Sequence, residues 1–205
     1  MTALELAQQL SAKFPGLISE PSEFRGEVTL KASDPERMPE ICALAKAELG
    51  FDYLVDITSV DNYGDAPRFT IVYHLYGYGH LCHLRLKTDV SEEKGELPTV
   101  TNVWRTADWH EREIYDMMGL RFRGHPDLRR ILMWEGYPHH PLRKDFPLAG
   151  KPTDVPEVAF TNPAPLEGGP FVTIAGGQSA MAREPRVRVP ATDDPGPAGP
   201  KKETT

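Results

Sequence analysis

The sequence predicts an α+β fold: a mixed, mostly antiparallel sheet covered by helices, followed by a long, extended, proline-rich C-terminal segment. Helical and alternating apolar patterns follow one another in the order helix, strand, helix, three strands and helix. Prolines are distributed unevenly, with 7 in residues 1–137 and 13 in residues 138–205. Because proline removes a backbone donor, we predict a folded domain at 1–137, an extended partner-binding segment at 138–190 and a disordered tail at 191–205.

Each of the three predicted helices begins at a polar capping residue that is followed by a second residue typical of helix starts. These pairs are Thr2 with Glu5, Asp34 with Pro35, and Asp108 with Glu111. Each helix ends at a glycine or at a proline-glycine pair, namely Pro15-Gly16, Gly50 and Gly119.

Segments rich in β-branched and aromatic residues predict the strands of the sheet. They are residues 27–32, 51–60, 68–76 and 81–87. The last two are separated by G-Y-G-H, which indicates a tight turn and an antiparallel hairpin. Helices that cover such a sheet place the chain in the α+β class.

The charge balance argues against a free-standing nucleic-acid-binding protein. The chain has 23 basic and 30 acidic residues and a net charge of −7, whereas such proteins are normally basic. The charge is also uneven, because residues 121–144 hold 6 basic and 2 acidic residues. A basic segment in an acidic protein needs an acidic surface, either within the chain or on a partner.

Cysteine content and hydropathy exclude other classes of protein. Cys42 and Cys82 are the two cysteines, which is too few for a disulfide framework or for the four ligands of an iron–sulfur cluster. No apolar run approaches the roughly 20 residues that span a bilayer. The N-terminal residues are those of a folded helix rather than of a signal or transit peptide, so we expect a chain that carries no targeting sequence.

Nucleotide and metal sites have little support in the sequence. Gly77-x-Gly79 lies between two strands and lacks the strand–loop–helix setting of a dinucleotide site. Zinc ligands usually have tight, paired spacings, whereas the histidine and aspartate residues that could bind a metal here are spread over a loop region. A small metalloenzyme that uses these residues is the alternative from a different functional class. The candidates are His125, Asp127, His139 and His140.

The segment from Trp104 to Pro147 is the most informative part of the chain. Its helix places Asp108, Arg112 and Asp116 at successive i,i+4 steps, which is compatible with a solvated ladder of charges. The charged residues of this helix are equally able to face the basic groups downstream. Those downstream groups alternate with apolar residues, a composition that suits a segment wedged between proteins.

Two motifs in this segment resemble a known family. E-R-E-I-Y-D-M-M-G-L-R-F-R-G-H-P-D-L-R-R-I-L (111–132) is similar to the signature of the C subunit of bacterial NADH:quinone oxidoreductase, respiratory complex I. H-P-L-R-K-D-F-P-L (140–148) is also similar to that family. We carry the matching charged positions over as fold and docking positions, without a catalytic role. They are Glu111, Arg112, Glu113, Asp116, His125, Arg129, Arg130, Arg143, Lys144 and Asp145.

The resemblance implies a non-catalytic subunit of the complex's peripheral arm, which supports electron transfer from NADH to quinone coupled to proton translocation. It implies that the partners are the D subunit and the cluster-bearing B and I subunits, near the quinone-reducing end. FMN and iron–sulfur clusters are then expected in partner subunits, with no cofactor in this chain. The implied location is the cytoplasmic side of the bacterial inner membrane. The equivalent subunit of a related membrane hydrogenase or of an F420- or ferredoxin-linked complex is a second interpretation.

The charge arithmetic also predicts two roles for the basic residues of the segment. We expect either Arg129 or Arg130 to bind back to the acidic helix. That helix offers carboxylates for only part of the basic surplus. We expect the remaining surplus, including Arg143 and Lys144, to face a partner.

Limited proteolysis tests the predicted segment boundaries. The isolated chain should be trimmed to roughly residues 1–150, because a proline-rich segment with little apolar surface cannot bury its own backbone. The assembled complex should protect more of the chain. Fragment masses measured on the isolated and the assembled chain check this, and equal resistance in the two states would contradict it.

Overall fold

A five-stranded mixed sheet organises the fold. Its strands are β1 (Ser22–Phe24), β2 (Glu27–Ala32), β3 (Tyr53–Asp61), β4 (Phe69–Gly77) and β5 (Cys82–Val90). They lie in the order β1-β2-β5-β4-β3, and only β2 and β5 pair in parallel. The prediction of a mixed, mostly antiparallel sheet is therefore confirmed.

The computed structural model describes residues 1–147. Its helices are α1 (Ala3–Lys13), α2 (Met38–Ala47) and α3 (Ala107–Met118). The side chains of Thr2 and Glu5 form the predicted capping box of α1. Asp34 instead caps a short 3-10 turn at Pro35–Arg37 that leads into α2. No helix among the described residues is long and apolar enough to cross a membrane.

The core lies between one face of the sheet and the helices. Along β4, Phe69, Ile71, Tyr73 and Leu75 are all fully buried, as the two-residue period of a strand requires for a face that packs on helices. Leu84 and the following alternate residues of β5 continue the same face. All three helices contribute buried apolar residues, including Leu6, Leu10, Met38, Ile41 and Ile114.

The structure also contains a second, two-stranded sheet that the sequence does not predict. Strands β6 (Glu96–Pro98) and β7 (Arg121–Arg123) pair in parallel, one before α3 and one after it. Each has three residues, which is too short to show a period in the sequence. The pairing fixes both ends of α3 to the same part of the fold.

The start of α3 differs from the prediction. The helix begins at Ala107 with Thr106 in the N-cap position, and Thr106 makes no side-chain capping bond. Asp108 and Glu111 lie inside the helix. The Glu111 carboxylate binds the loop before the helix and does not cap the first turn. Gly119 ends the helix in the left-handed conformation, as predicted.

The compact unit runs from Met1 to Phe146, beyond the predicted boundary at 137. The reason is that residues after 137 donate hydrogen bonds to the end of α3 and to β3, which a boundary drawn from proline density does not anticipate. The remainder of the predicted extended segment, up to 190, and the predicted tail at 191–205 lie outside the described residues.

Candidate functional site

Helix α3 buries a carboxylate that organises the loop after it. Asp116 is fully buried, and its Oδ2 accepts the backbone N–H groups of Ile131 (3.1 Å), Leu132 (2.7 Å) and Met133 (2.8 Å). Its Oδ1 accepts Arg130 Nη1 at 2.5 Å. Burial by itself raises the pKa of Asp116, but these hydrogen bonds outweigh it and hold the pKa below its ordinary value. The loop is therefore wrapped around an ionised carboxylate.

Two arginines hold this loop by donating hydrogen bonds to backbone carbonyls, one from the loop and one from the helix. Arg130 also donates to the carbonyls of Tyr137 (2.5 Å) and His139 (3.2 Å), so that it joins the helix to the chain further on. Arg112, on the helix, donates to the carbonyls of Arg129 (3.3 Å) and Arg130 (3.2 Å). The arginine that returns to the helix is thus Arg130, whereas the Arg129 side chain is exposed.

A second buried carboxylate on α3 faces the loop before the helix. Glu111 is fully buried and accepts Thr99 Oγ1 at 2.5 Å and the backbone N–H of Val100 at 2.8 Å. Burial raises the pKa of Glu111 to about 7, and the neighbouring Asp108 carboxylate adds to the rise. No arginine or lysine pairs with Glu111 among the described residues, which leaves desolvation largely uncompensated.

The His125 ring packs beside this carboxylate and is hydrogen-bonded through both of its nitrogens. Its Nε2 lies 3.2 Å from the carbonyl oxygen of Asp108, which can only accept, so Nε2 carries the proton. Its Nδ1 accepts the backbone N–H of Asp127 at 3.0 Å. Nε2 is 4.0 Å from the Glu111 carboxylate. Both ring nitrogens are used within the fold, which leaves neither free for a metal.

Residues after 137 bind the carbonyls at the C-terminal end of α3 that have no partner within the helix. Helix ends leave such carbonyls without intrahelical partners. The three bonds run from His140 Nδ1 to Asp116 O (2.9 Å), from Leu142 N to Met117 O (3.2 Å) and from Arg143 Nε to Met118 O (2.6 Å). A cationic guanidinium at this end also complements the helix dipole.

The close approach of this segment requires a glycine at 119. Its φ is +78°, and a Cβ there would lie 2.6 Å from the His140 ring and 2.8 Å from Arg143 Nη2. The guanidinium of Arg143 further lies over the ring of Phe69 at 5.4 Å. Arg143, which we expected to face a partner, is instead part of the fold.

A buried ion pair, joined by two exposed carboxylates, fixes the end of the described segment. Arg68 is bidentate to Asp61, with distances of 2.9 Å and 3.0 Å, and also reaches Glu92 at 2.7 Å and Asp145 at 3.2 Å. The backbone N–H of Lys144 donates to Asp61 at 2.8 Å. The Arg68 guanidinium, followed by the other donors, lowers the pKa of Asp61. No sequence motif marks Asp61 or Arg68, which is why this cluster was not predicted.

The structure thus divides the predicted docking residues into two groups. Those that face inward and hold the fold are Glu111, Arg112, Asp116, His125, Arg130 and Arg143. Those with exposed side chains are Glu113, Arg129, Lys144 and Asp145. The solvated charge ladder is therefore wrong for Arg112 and Asp116, which are buried against the following loop.

The residues of the metalloenzyme alternative are not brought together. Both nitrogens of His125 are occupied, His140 Nδ1 binds α3, and the His139 ring packs against Tyr137 with centroids 5.6 Å apart. Within residues 1–147, no group of three His, Cys, Asp or Glu side chains is arranged to hold a metal ion.

A family model covers both motifs, the one that runs through α3 and the one at 140–148. The model described as the 30 kDa subunit of respiratory-chain NADH dehydrogenase matches residues 32–152. The chain belongs to this family. It is accordingly one component of the NADH-quinone oxidoreductase complex, without a catalytic role of its own, and other components of the complex are its partners.

Similar proteins from several bacteria are matched over most of their own length. The NADH-quinone oxidoreductase C subunit numbered 2 in Rhizobium meliloti is 50% identical over 138 residues, which are 66% of this chain and 75% of the relative. The C subunit of Geotalea uraniireducens is 46% identical over 142 residues, or 69% and 86% of the two chains. The C subunit of a Roseiflexus species is 40% identical over 156 residues, or 75% and 86%.

Solved structures share the fold. A trypsin-resistant fragment of Nqo5 is 36% identical with a TM-score of 0.52, and the match covers 62% of this chain and the whole of that fragment. A chain of the archaeal membrane-bound sulfane sulfur reductase has a TM-score of 0.61 at 22% identity, covering 76% and 88% of the two chains. The second likeness concerns the fold alone.

The buried carboxylate of Asp116 should dominate the stability of the isolated chain. Asp116→Asn removes the charge that binds three N–H groups and Arg130, and breaking one partner of a buried pair costs about 3–5 kcal/mol. Glu113→Gln, an exposed position on the same helix, should change stability by less than about 0.5 kcal/mol. Urea unfolding of both variants tests this, and equal losses would contradict the anchoring role.

Glu111 should make the stability of the chain depend on pH. Its raised folded-state pKa of about 7 means that the folded protein binds the proton more tightly than the unfolded chain, where the ordinary value is 4.5. The stability that this proton contributes is complete below the pKa of Glu111 in the unfolded chain. It is lost as the pH rises through the pKa of Glu111 in the folded chain. Glu111→Gln mimics the protonated form and removes this dependence.

The measurement is the difference in unfolding free energy between Glu111→Gln and the original chain at several pH values. From pH 5 to pH 8 the variant should gain roughly 1–3 kcal/mol relative to the original chain. A difference that stays constant over this range would show that Glu111 is ionised throughout.

Proposed function

We propose that this chain is a docking component of the peripheral arm, which holds neighbouring subunits together near the quinone-reducing end of the complex. Its partners there would be the D subunit and the cluster-bearing B and I subunits. Membership of the family supports a place in the complex, and the described surface supports docking as the chain's contribution.

One observation carries the proposal: a segment without helix or strand is held rigidly and presents large apolar side chains to solvent. Backbone bonds to Asp116 fix the loop from which Leu132 (63% exposed) and Trp134 (37% exposed) project. Exposed aromatic and aliphatic side chains on a fixed backbone are typical anchors of protein interfaces. Ordering such a loop in advance lowers the entropic cost of association.

Exposed charges on the same stretch of chain suit the rim of an interface. Lys144 and Arg129 have exposed side chains, and they lie on the same segment as the apolar anchors. Rim charges affect partner choice and association rate more than affinity. We assign docking to these residues rather than to the inward-facing members of the family signature.

We further propose that FMN and the iron–sulfur clusters belong to partner subunits and that this chain binds none of them. The two cysteines support this, because Cys42 is buried in the core and Cys82 lies on strand β5, so they offer no cluster-type set. The bacterial origins of the relatives support a location on the cytoplasmic side of the bacterial inner membrane.

The docking role can be tested by single substitutions in tagged chains that are expressed in the native organism. Leu132→Asp and Lys144→Glu should each reduce the recovery of partner subunits from membranes and reduce NADH:quinone reductase activity. Neither change should alter the thermal unfolding of the isolated chain by more than a few degrees, because both side chains are exposed.

Leu81→Asp is the matched control. Leu81 is 76% exposed on the β4–β5 hairpin, away from the anchored loop. Its substitution should leave partner recovery unchanged. Full recovery of all partner subunits by Leu132→Asp and Lys144→Glu would contradict docking through this segment.

A further inference from the structure

We propose that the free edge of strand β3 binds an extended segment of another subunit, which adds to the sheet as a further strand and carries basic side chains. This inference rests on the proposed function, since it requires a partner within the complex. It concerns a surface separate from the loop that presents Leu132 and Trp134.

The first argument is that β3 is a long strand with one unpaired side. It lies at the end of the five-stranded sheet and pairs only with β4. Among the described residues, no backbone hydrogen bond joins Tyr53–Asp61 to any other element. An unpaired edge exposes a row of N–H and C=O groups that can template another strand.

The second argument is that this edge has little of the usual protection against pairing. The opposite edge, β1, is only three residues long, whereas β3 has nine. Natural edge strands often carry lysine, but Tyr53–Asp61 contains no lysine or arginine. Its exposed side chains are instead largely apolar: Tyr53, Val55 and Val60 are 42%, 38% and 43% exposed.

A bulge does not remove the template. The pairing of β3 with β4 shifts once, between Leu54 and Asp56, and is regular from Asp56 to Asp61. The regular part is long enough to pair with a short extended segment, because strands of three residues already form ladders in this fold. The expected site is therefore residues 56–61.

The third argument is a groove beside this edge. Between β3 and α3 lies a groove of about 90 Å³, with Met117 and Leu142 among its lining residues. Ser59 also lines it, and the Ser59 hydroxyl oxygen has no hydrogen-bond partner within the described residues. An added strand would place alternate side chains over this groove.

The fourth argument is charge, which selects the occupant. Asp56 and Glu113 line the groove from its two sides, and both are exposed in part or in full. No lysine or arginine lines the groove. The basic groups near Asp56 in the described part of the chain are two histidines: His110, whose Nδ1 is 3.1 Å away, and His74, the partner of Asp56 on β4. Opposite charges across an interface fix partner and register, so the incoming segment should carry lysine or arginine.

A photo-cross-linking amino acid at Thr58, exposed on this edge, identifies the occupant in the assembled complex. The expected product joins Thr58 to one short stretch of a different subunit that contains lysine or arginine. Cross-links to residues 148–205 of the same chain, cross-links to a second copy, or no product at all would each overturn the proposal.

Hydrogen exchange tests whether the contact is strand pairing. Amides in residues 56–61 should exchange at least about tenfold more slowly in the assembled complex than in the isolated chain. Val60→Lys and Thr58→Lys should abolish this protection, because an edge lysine opposes an approaching basic strand. Phe24→Lys, on the opposite edge strand and 70% exposed, is the matched control and should retain it.

The same experiment separates this inference from the proposed function. If the original chain recovers its partner subunits but residues 56–61 exchange at the same rate in both states, the inference fails and the docking role stands. If the chain recovers no partner at all, both fail. Unchanged thermal unfolding of the isolated lysine variants confirms that lost protection is not a folding defect.

Discussion

The carboxylate of Asp116 is the constraint on which the second half of this domain depends. It is buried in helix α3, yet three consecutive backbone N–H groups and one guanidinium bind it. A buried charge is tolerated only when it is satisfied in this way. Those donors come from a loop without helix or strand. The path of this loop is therefore fixed by the need of the Asp116 carboxylate for hydrogen-bond donors.

The same helix end is bound a second time by the residues that follow. His140, the backbone of Leu142 and Arg143 supply donors to its last carbonyls, and Gly119 provides the space that this approach needs. The family signature is therefore chiefly architectural: most of its charged residues satisfy one another or the backbone. Such a domain contributes to an electron-transfer complex by shape and by placement of surfaces.

Two of the outward-facing surfaces of residues 1–147 are suited to binding partners. One is the anchored loop, which presents the apolar side chains of Leu132 and Trp134 on a fixed backbone. The other is the edge of β3, which offers backbone groups beside an acidic groove. Rigid anchors and strand addition are complementary ways to bind, because the first uses side-chain burial and the second uses backbone hydrogen bonds. A protein with both can hold two neighbours in a fixed relation.

The sequence by itself determined the α+β class, the capping box at Thr2 and Glu5, strand β2 and the end of α3 at Gly119, because each is encoded by residues close together in the chain. It also anticipated that a downstream arginine returns to the acidic helix. Only the tertiary structure decided that Asp116 binds a loop 15 to 17 residues later and that Asp61 binds the backbone of a residue 83 positions away. These contacts involve irregular segments, whose backbone donors leave no periodic pattern in the sequence. Which carboxylates need those donors depends on burial, because a buried charge must be hydrogen-bonded.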